Sequence, residues 1–108
     1  MTTTSATASV TESGFYVNDS RWCYRGVLTL DDSAAVLKKS ESLPLPISSV
    51  VDMSELDEND SAALAIFLSL TRRAEREGKT LRFEAVPEAL RTLAHVYGVD
   101  SLLALQAA

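Results

Sequence analysis

This 108-residue chain is poor in cysteine and histidine, the two residue types that most often build thiolate or imidazole sites for metals and for nucleophilic catalysis. The chain has a single cysteine, Cys23, and a single histidine, His95. A cysteine-based zinc site needs several thiolates, and a catalytic triad or a two-histidine metal site needs partners that we cannot place around His95. We interpret Cys23 as a small apolar strand residue and His95 as an ordinary helix residue. The sequence therefore predicts no enzyme activity, no cofactor and no metal.

An acidic segment precedes the best helix signal in the chain. It spans residues 54–60 and contains Glu55, Asp57, Glu58 and Asp60. Carboxylates in a loop can bind Ca²⁺, but this segment lacks the spacing and the central glycine of an EF-hand. We therefore interpret it as a solvated loop.

Ser61 follows this loop at the predicted start of a helix. A serine here can cap the helix, or Asp60 can cap it and leave Ser61 free to contact a partner. A phosphate on Ser61 would be favoured by the helix dipole and opposed by the carboxylates of Asp57, Glu58 and Asp60, so it would sharply change the local charge. The residues alone leave capping, partner contact and phosphorylation open.

The helix predicted for residues 61–77 has two faces of different character. At 100° per residue, the side expected to face a sheet carries only apolar residues: Ala63, Ile66, Phe67, Leu70 and Ala74. The opposite side is a stripe of small, apolar and basic residues: Ser61, Ala65, Leu68, Arg72 and Arg76. The arginines of this helix alternate with Glu75 and Glu77, which is typical of an ordinary salt-bridged surface. The stripe also suits contact with a partner helix or groove. We predict a partner-binding set of Asp60, Ser61, Ala65, Leu68 and Arg72.

The elements that position these residues alternate along the chain. Residues 1–12 are polar and are predicted to be a disordered tail, and residues 13–108 are predicted to form one domain. Strands that alternate with helices predict an α/β fold, with helices packed mainly on one face of a mixed sheet. The predicted order is a hairpin over residues 15–26, a helix over 34–42, a buried strand over 47–53, the helix over 61–77, a strand over 81–85 and a helix over 87–97.

Composition and charge restrict the class of protein. Hydrophobic residues make up 46% of the chain, which is ordinary for a globular domain, and the formal net charge is −5. A protein that binds nucleic acid by neutralising phosphates is normally basic, so we expect no nucleic-acid partner. The longest apolar run, residues 62–68, is far too short to cross a bilayer. Without a signal-peptide pattern either, we expect a cytoplasmic protein that does not insert into the membrane.

A family resemblance rests on Asp60-Ser61-Ala62-Ala63-Leu64, which follows a strand that carries Asp52. This pattern resembles the signature of STAS domains, the anti-sigma-factor-antagonist fold. Two further stretches, residues 26–31 and 90–103, resemble the MlaB-like branch of that family.

The resemblance implies a non-catalytic cytoplasmic subunit of an ABC phospholipid transporter of the Mla type, which serves outer-membrane lipid asymmetry. Such a subunit would bind the transporter ATPase with Ser61 at the contact, support assembly or activity, and associate peripherally with the inner membrane through the transporter. The alternative that the resemblance implies is an anti-sigma-factor antagonist in a partner switch controlled by phosphorylation of Ser61.

Overall fold

The structure, a computed structural model, describes residues 13–107, so the predicted disordered tail over residues 1–12 lies outside the described residues. The described part begins with a hairpin and then alternates helices with strands, as the sequence predicts. The elements in chain order are β1 (Gly14–Asn18), β2 (Arg21–Leu28), α1 (Leu30–Ser40), β3 (Val50–Asn59), α2 (Ala62–Arg76), β4 (Arg82–Glu84), α3 (Glu88–Val96) and a C-terminal 3-10 turn (Asp100–Leu102).

The four strands form one mixed sheet in the order β1-β2-β3-β4. β1 and β2 are antiparallel, with Val17 opposite Trp22. β3 runs parallel to both β2 and β4. The short β4 is extended at its outer edge by the C-terminal residues, because Phe83 forms a parallel bridge with Leu105. The predicted α/β class with a mixed sheet is confirmed.

One hydrophobic core lies between the sheet and the helices. Trp22 and Tyr24 of β2 are fully buried, as the predicted shared face of that strand requires. The rings of Phe67 on α2 and Phe83 on β4 pack with their centroids 4.5 Å apart. The five residues predicted to face the sheet from α2 are all buried. The helices therefore cover one face of the sheet, and charged side chains occupy the other.

The acidic segment is not a loop, so that prediction was wrong. β3 continues through it to Asn59, and in the register Arg25 pairs with Glu55 and Leu28 pairs with Asn59. Pairing with β2 supplies backbone hydrogen bonds that the local sequence does not indicate, and strand propensity is easily overridden by such a context. The predicted start of this strand was also too early, because Ile47 is 86% exposed and β3 begins at Val50.

α1 begins earlier than the sequence predicts. Thr29 rather than an aspartate occupies its N-cap position. The Asp32 carboxylate accepts hydrogen bonds from the Thr29 hydroxyl at 3.0 Å and from the Thr29 backbone N–H at 3.4 Å. The earlier start places Leu30, a large apolar residue, in the first turn of α1 with 73% of its surface exposed.

Candidate functional site

The candidate site lies at the carboxyl ends of the parallel strands β2 and β3. α1 follows β2 after one residue, and α2 follows β3 after two. Since Leu28 pairs with Asn59, both helices begin at the same end of the sheet. In open α/β sheets, ligands and partners commonly bind at this end, where loops and helix N-termini converge.

Asp60 joins the two helix starts. Its Oδ1 accepts a hydrogen bond from the Ala62 N–H at 2.8 Å, and its Oδ2 accepts one from the Leu30 N–H at 3.1 Å. Both donors lie in the first turn of a helix, where backbone N–H groups have no intrahelical partner. Asp60 therefore caps α2 and fixes the start of α1 with one carboxylate. A direct contact of Asp60 with a partner stays a prediction.

Ser61 is exposed and makes no capping hydrogen bond, although it occupies the N-cap position of α2. Its backbone is helical, with φ −61° and ψ −17°, which differs from the extended conformation of a usual N-cap residue. Because Asp60 caps α2, the Ser61 hydroxyl is not used for capping. Asp57 and Glu58 are exposed on the preceding strand end, so the surroundings of Ser61 are acidic.

The outward stripe of α2 continues from Ser61 along the helix surface. Ala65 and Arg72 are exposed, whereas Leu68 is half-buried and packs against the edge of the core. Leu68 lies in a groove of about 210 Å³ between α2 and the C-terminal 3-10 turn, which is also lined by Thr71, Arg72, Glu75, Ser101 and Leu102. The structure thus places Ser61, Ala65, Leu68 and Arg72 along one side of α2, with Asp60 directly before it. Their contact with a partner stays a prediction.

Two exposed apolar residues beside this face were missed in the sequence. Leu30 donates its N–H to Asp60, the residue before Ser61, and Leu102 lines the same groove as Leu68 with 60% of its surface exposed. The signal for Leu30 was an apolar residue directly before the acidic pair Asp31 and Asp32 of the first turn of α1. Leu102 had no local signal, because its position depends on how the C-terminal turn packs on α2.

Behind the site, Tyr24 is held neutral. Its hydroxyl donates a hydrogen bond to the Val27 carbonyl oxygen at 2.6 Å. Burial, and then the nearby charge of Asp32, raise the pKa of Tyr24 to about 12. Tyr24 therefore stays protonated well above the pH at which an ordinary tyrosine ionises.

The face of the sheet opposite the helices carries paired charges. The Tyr16 hydroxyl donates to the Glu55 carboxylate, and this hydrogen bond is the main cause that raises the pKa of Tyr16 to about 12. The Arg25 guanidinium lies 4.7 Å from the centre of the Tyr16 ring and pairs with Glu55. Cys23 lies beneath this cluster with 5% of its surface exposed, as an apolar strand residue.

His95 is close to one carboxylate. Its Nδ1 lies 2.9 Å from the Asp100 Oδ2, and this hydrogen bond lowers the pKa of Asp100. Within residues 13–107, no group of three or more histidine, cysteine, aspartate or glutamate side chains is placed to hold a metal ion. Over the same part of the chain, no helix has both the length and the apolar character that a bilayer crossing requires.

Comparisons with known proteins agree with this architecture. A family model described as "Mlab, STAS domain" matches residues 24–105. A solved structure with the same fold is that of a Thermotoga maritima protein assigned as an anti-sigma factor antagonist. The similarity covers 87% of this chain and 85% of that one, with a TM-score of 0.66 and 10% sequence identity, which shows the fold alone. A search of curated proteins finds no match.

Proposed function

The chain belongs to the STAS domain family, and we propose that it is a non-catalytic subunit that binds the ATPase subunit of an Mla-type ABC phospholipid transporter. In this role it supports assembly or activity of the transporter, and it attaches to the inner membrane from the cytoplasm through that complex. The observation that carries the proposal is the family match, described as Mlab, over residues 24–105. That range contains both helix starts, α2 and the C-terminal turn.

The surface around Ser61 has the composition of a protein–protein contact. Leu30 and Leu102 are largely exposed, and Leu68 is half-buried beside the small residue Ala65. Interfaces combine an apolar centre with a polar, charged rim, and a helix face with regularly spaced anchors is a recurrent way to bind a partner. These apolar residues around α2, with Asp57 on the strand end before the helix and Arg72 on the helix itself, fit that description.

A charge at Ser61 tests the proposed contact. In a titration of the purified chain against the ATPase subunit of the phospholipid transporter from the same organism, we expect Ser61→Glu to weaken binding by roughly 30-fold or more. An unpaired carboxylate buried at an interface costs roughly 2–5 kcal/mol, and the neighbouring acidic residues add repulsion. The fold should survive, because a helix N-terminus tolerates a negative charge.

Ser61→Thr is the matched control, since it keeps the hydroxyl and adds one methyl group. We expect its affinity to stay close to that of the wild type, with circular dichroism and thermal melting confirming that both variants are folded. Wild-type affinity in a well-folded Ser61→Glu variant would contradict the interface. A wild-type chain that does not bind the ATPase would contradict the function itself.

The second candidate is an anti-sigma-factor antagonist that is switched by phosphorylation of Ser61. The observation that favours it is the exposed Ser61 hydroxyl, which is not used for capping because Asp60 caps α2. A phosphate there would lie close to Asp57 and Glu58, and it would change the binding surface by charge. Incubation with a partner-switch kinase and ATP, followed by mass spectrometry, distinguishes the two functions: stoichiometric phosphate on Ser61 favours the switch.

A further inference from the structure

We infer that the partner surface bound by the outer face of α2 is acidic with an apolar anchor, a conclusion that rests on the proposed function and specifies the chemistry of the partner. The apolar anchor fits the groove between Leu68 and Leu102. The acidic groups pair with Arg72 and Arg76, which continue the same helix stripe.

The three arginines of α2 have different roles. Arg73 is structural: it donates hydrogen bonds to the carbonyl oxygens of Ser40 at 3.1 Å and Leu43 at 2.6 Å, and it pairs with Glu77 at 3.3 Å. Arg72 and Arg76 are exposed and form no salt bridge with any of the residues 13–107. In a chain with net charge −5, this gives one helix face two guanidinium groups available to a partner.

Arg72 stands on the ridge between two grooves. On one side is the 210 Å³ groove with Leu68 and Leu102, and on the other is a groove of about 510 Å³ between α1 and α2, which Arg72 and Arg76 line together. Glu41 and Glu77 also line the larger groove, but Glu77 is engaged by Arg73. Three arginines and two glutamates line the larger groove, so it carries an excess of positive charge that suits a carboxylate, and the smaller groove holds the two leucines that an apolar side chain would contact.

The spacing defines the pattern that a partner helix would need. Leu68, Arg72 and Arg76 follow one another at four-residue steps, which span about 12 Å of helix. A partner helix lying along α2 would match this spacing if it carried one apolar residue opposite Leu68 and Asp or Glu four and eight positions from that residue. Guanidinium groups bind carboxylates through paired, charge-assisted hydrogen bonds, which adds orientation to the contact.

Charge reversal on the ridge tests this inference with the ATPase subunit as the probe. We expect Arg72→Glu and Arg76→Glu each to weaken binding by roughly 10- to 100-fold, because like charges facing one another across an interface are costly. Arg76→Lys should weaken binding far less, since it keeps the charge. Lys38→Glu is the matched control: it makes the same change in net charge at an exposed position of α1 that lines neither groove, and its affinity should stay close to that of the wild type.

Ionic strength and vesicles complete the test. Raising the ionic strength from about 0.1 to about 1 M shortens the Debye length from roughly 10 to roughly 3 Å, so wild-type affinity should fall more than that of Arg76→Glu. Wild-type affinity in both charge-reversal variants would overturn the inference and leave the proposed function standing. Failure of the wild-type chain to bind the ATPase would overturn both the inference and the proposed function. Binding to phosphatidylglycerol vesicles that Arg76→Glu abolishes, without an effect on ATPase binding, would assign the ridge to a membrane surface and also overturn the inference.

Discussion

Asp60 is the exposed side chain whose removal should disturb the candidate site most. Its two carboxylate oxygens accept hydrogen bonds from Ala62 at 2.8 Å and from Leu30 at 3.1 Å, so Asp60→Ala leaves a backbone N–H without its protein partner at the start of each helix. The substitution creates no cavity in the core, because Asp60 lies at the surface.

The expected loss follows from these two hydrogen bonds. Removing a capping side chain costs about 0.5–2 kcal/mol per helix, and water can partly replace the carboxylate at an exposed site. We therefore expect Asp60→Ala to lower the free energy of unfolding by about 2 kcal/mol, which corresponds to a melting temperature lower by roughly 8–16 °C for a domain of this size. Asp60→Asn should cost about half as much, because its amide oxygen can still accept one of the two hydrogen bonds.

Urea denaturation followed by circular dichroism measures the loss, and hydrogen exchange at the Leu30 and Ala62 amides locates it. Asp57→Ala is the control: it removes the same charge from an exposed residue of the same strand end, whose carboxylate accepts no hydrogen bond from residues 13–107. We expect the stability of Asp57→Ala to lie within about 0.5 kcal/mol of the wild type. Equal losses in the two variants, or an Asp60→Ala variant as stable as the wild type, would refute the reasoning.

Four further substitutions test the fold around the site. Phe67→Ala should lower the free energy of unfolding by about 3–5 kcal/mol and Leu68→Ala by less than half of that, since Phe67 is fully buried and Leu68 only partly; equal losses in urea denaturation would contradict the facing of α2. Gly26→Ala should cost about 1–3 kcal/mol in the same assay, because φ is +101° at this position and an added Cβ would collide with the Ser13 hydroxyl. Tyr24 favours its protonated form in the folded state, where its pKa is about 12. Its contribution to the free energy of unfolding is therefore fully present below pH 10 and is lost as the pH rises to about 12. Tyr24→Phe should reduce alkaline unfolding in that window, and an unchanged profile of stability against pH would contradict the raised pKa of Tyr24.

The sequence was most informative about α2. Inward apolar residues recur at helical spacing from Ala63 to Ala74, and Gly78 follows the helix, so periodicity and the end signal agree. The structure buries the predicted face and exposes Ala65 and Arg72 of the opposite one. The order of the elements along the chain was predictable for a similar reason, since strand-like and helix-like periods alternate.

The acidic half of β3 could not be predicted from local pattern. Glu55, Asp57 and Glu58 have low strand propensity, and only the parallel pairing with β2 makes them part of a strand. Glu55 is further held by Arg25 and by the Tyr16 hydroxyl, which come from strands 30 or more residues earlier in the chain. Such long-range pairing leaves no trace in a short window of sequence.

The roles of Asp60 and Ser61 depend on the same long-range arrangement. From position alone, either residue could cap α2. The structure adds a second donor, the Leu30 N–H of α1, and a carboxylate has an oxygen for each donor whereas a serine hydroxyl has one oxygen in all. Asp60 is therefore the side chain suited to hold both helix starts, and Ser61 is left without a capping function. Because both helices are fixed through the residue next to it, a contact or a phosphate at Ser61 would act on a surface whose two helices are already held in place.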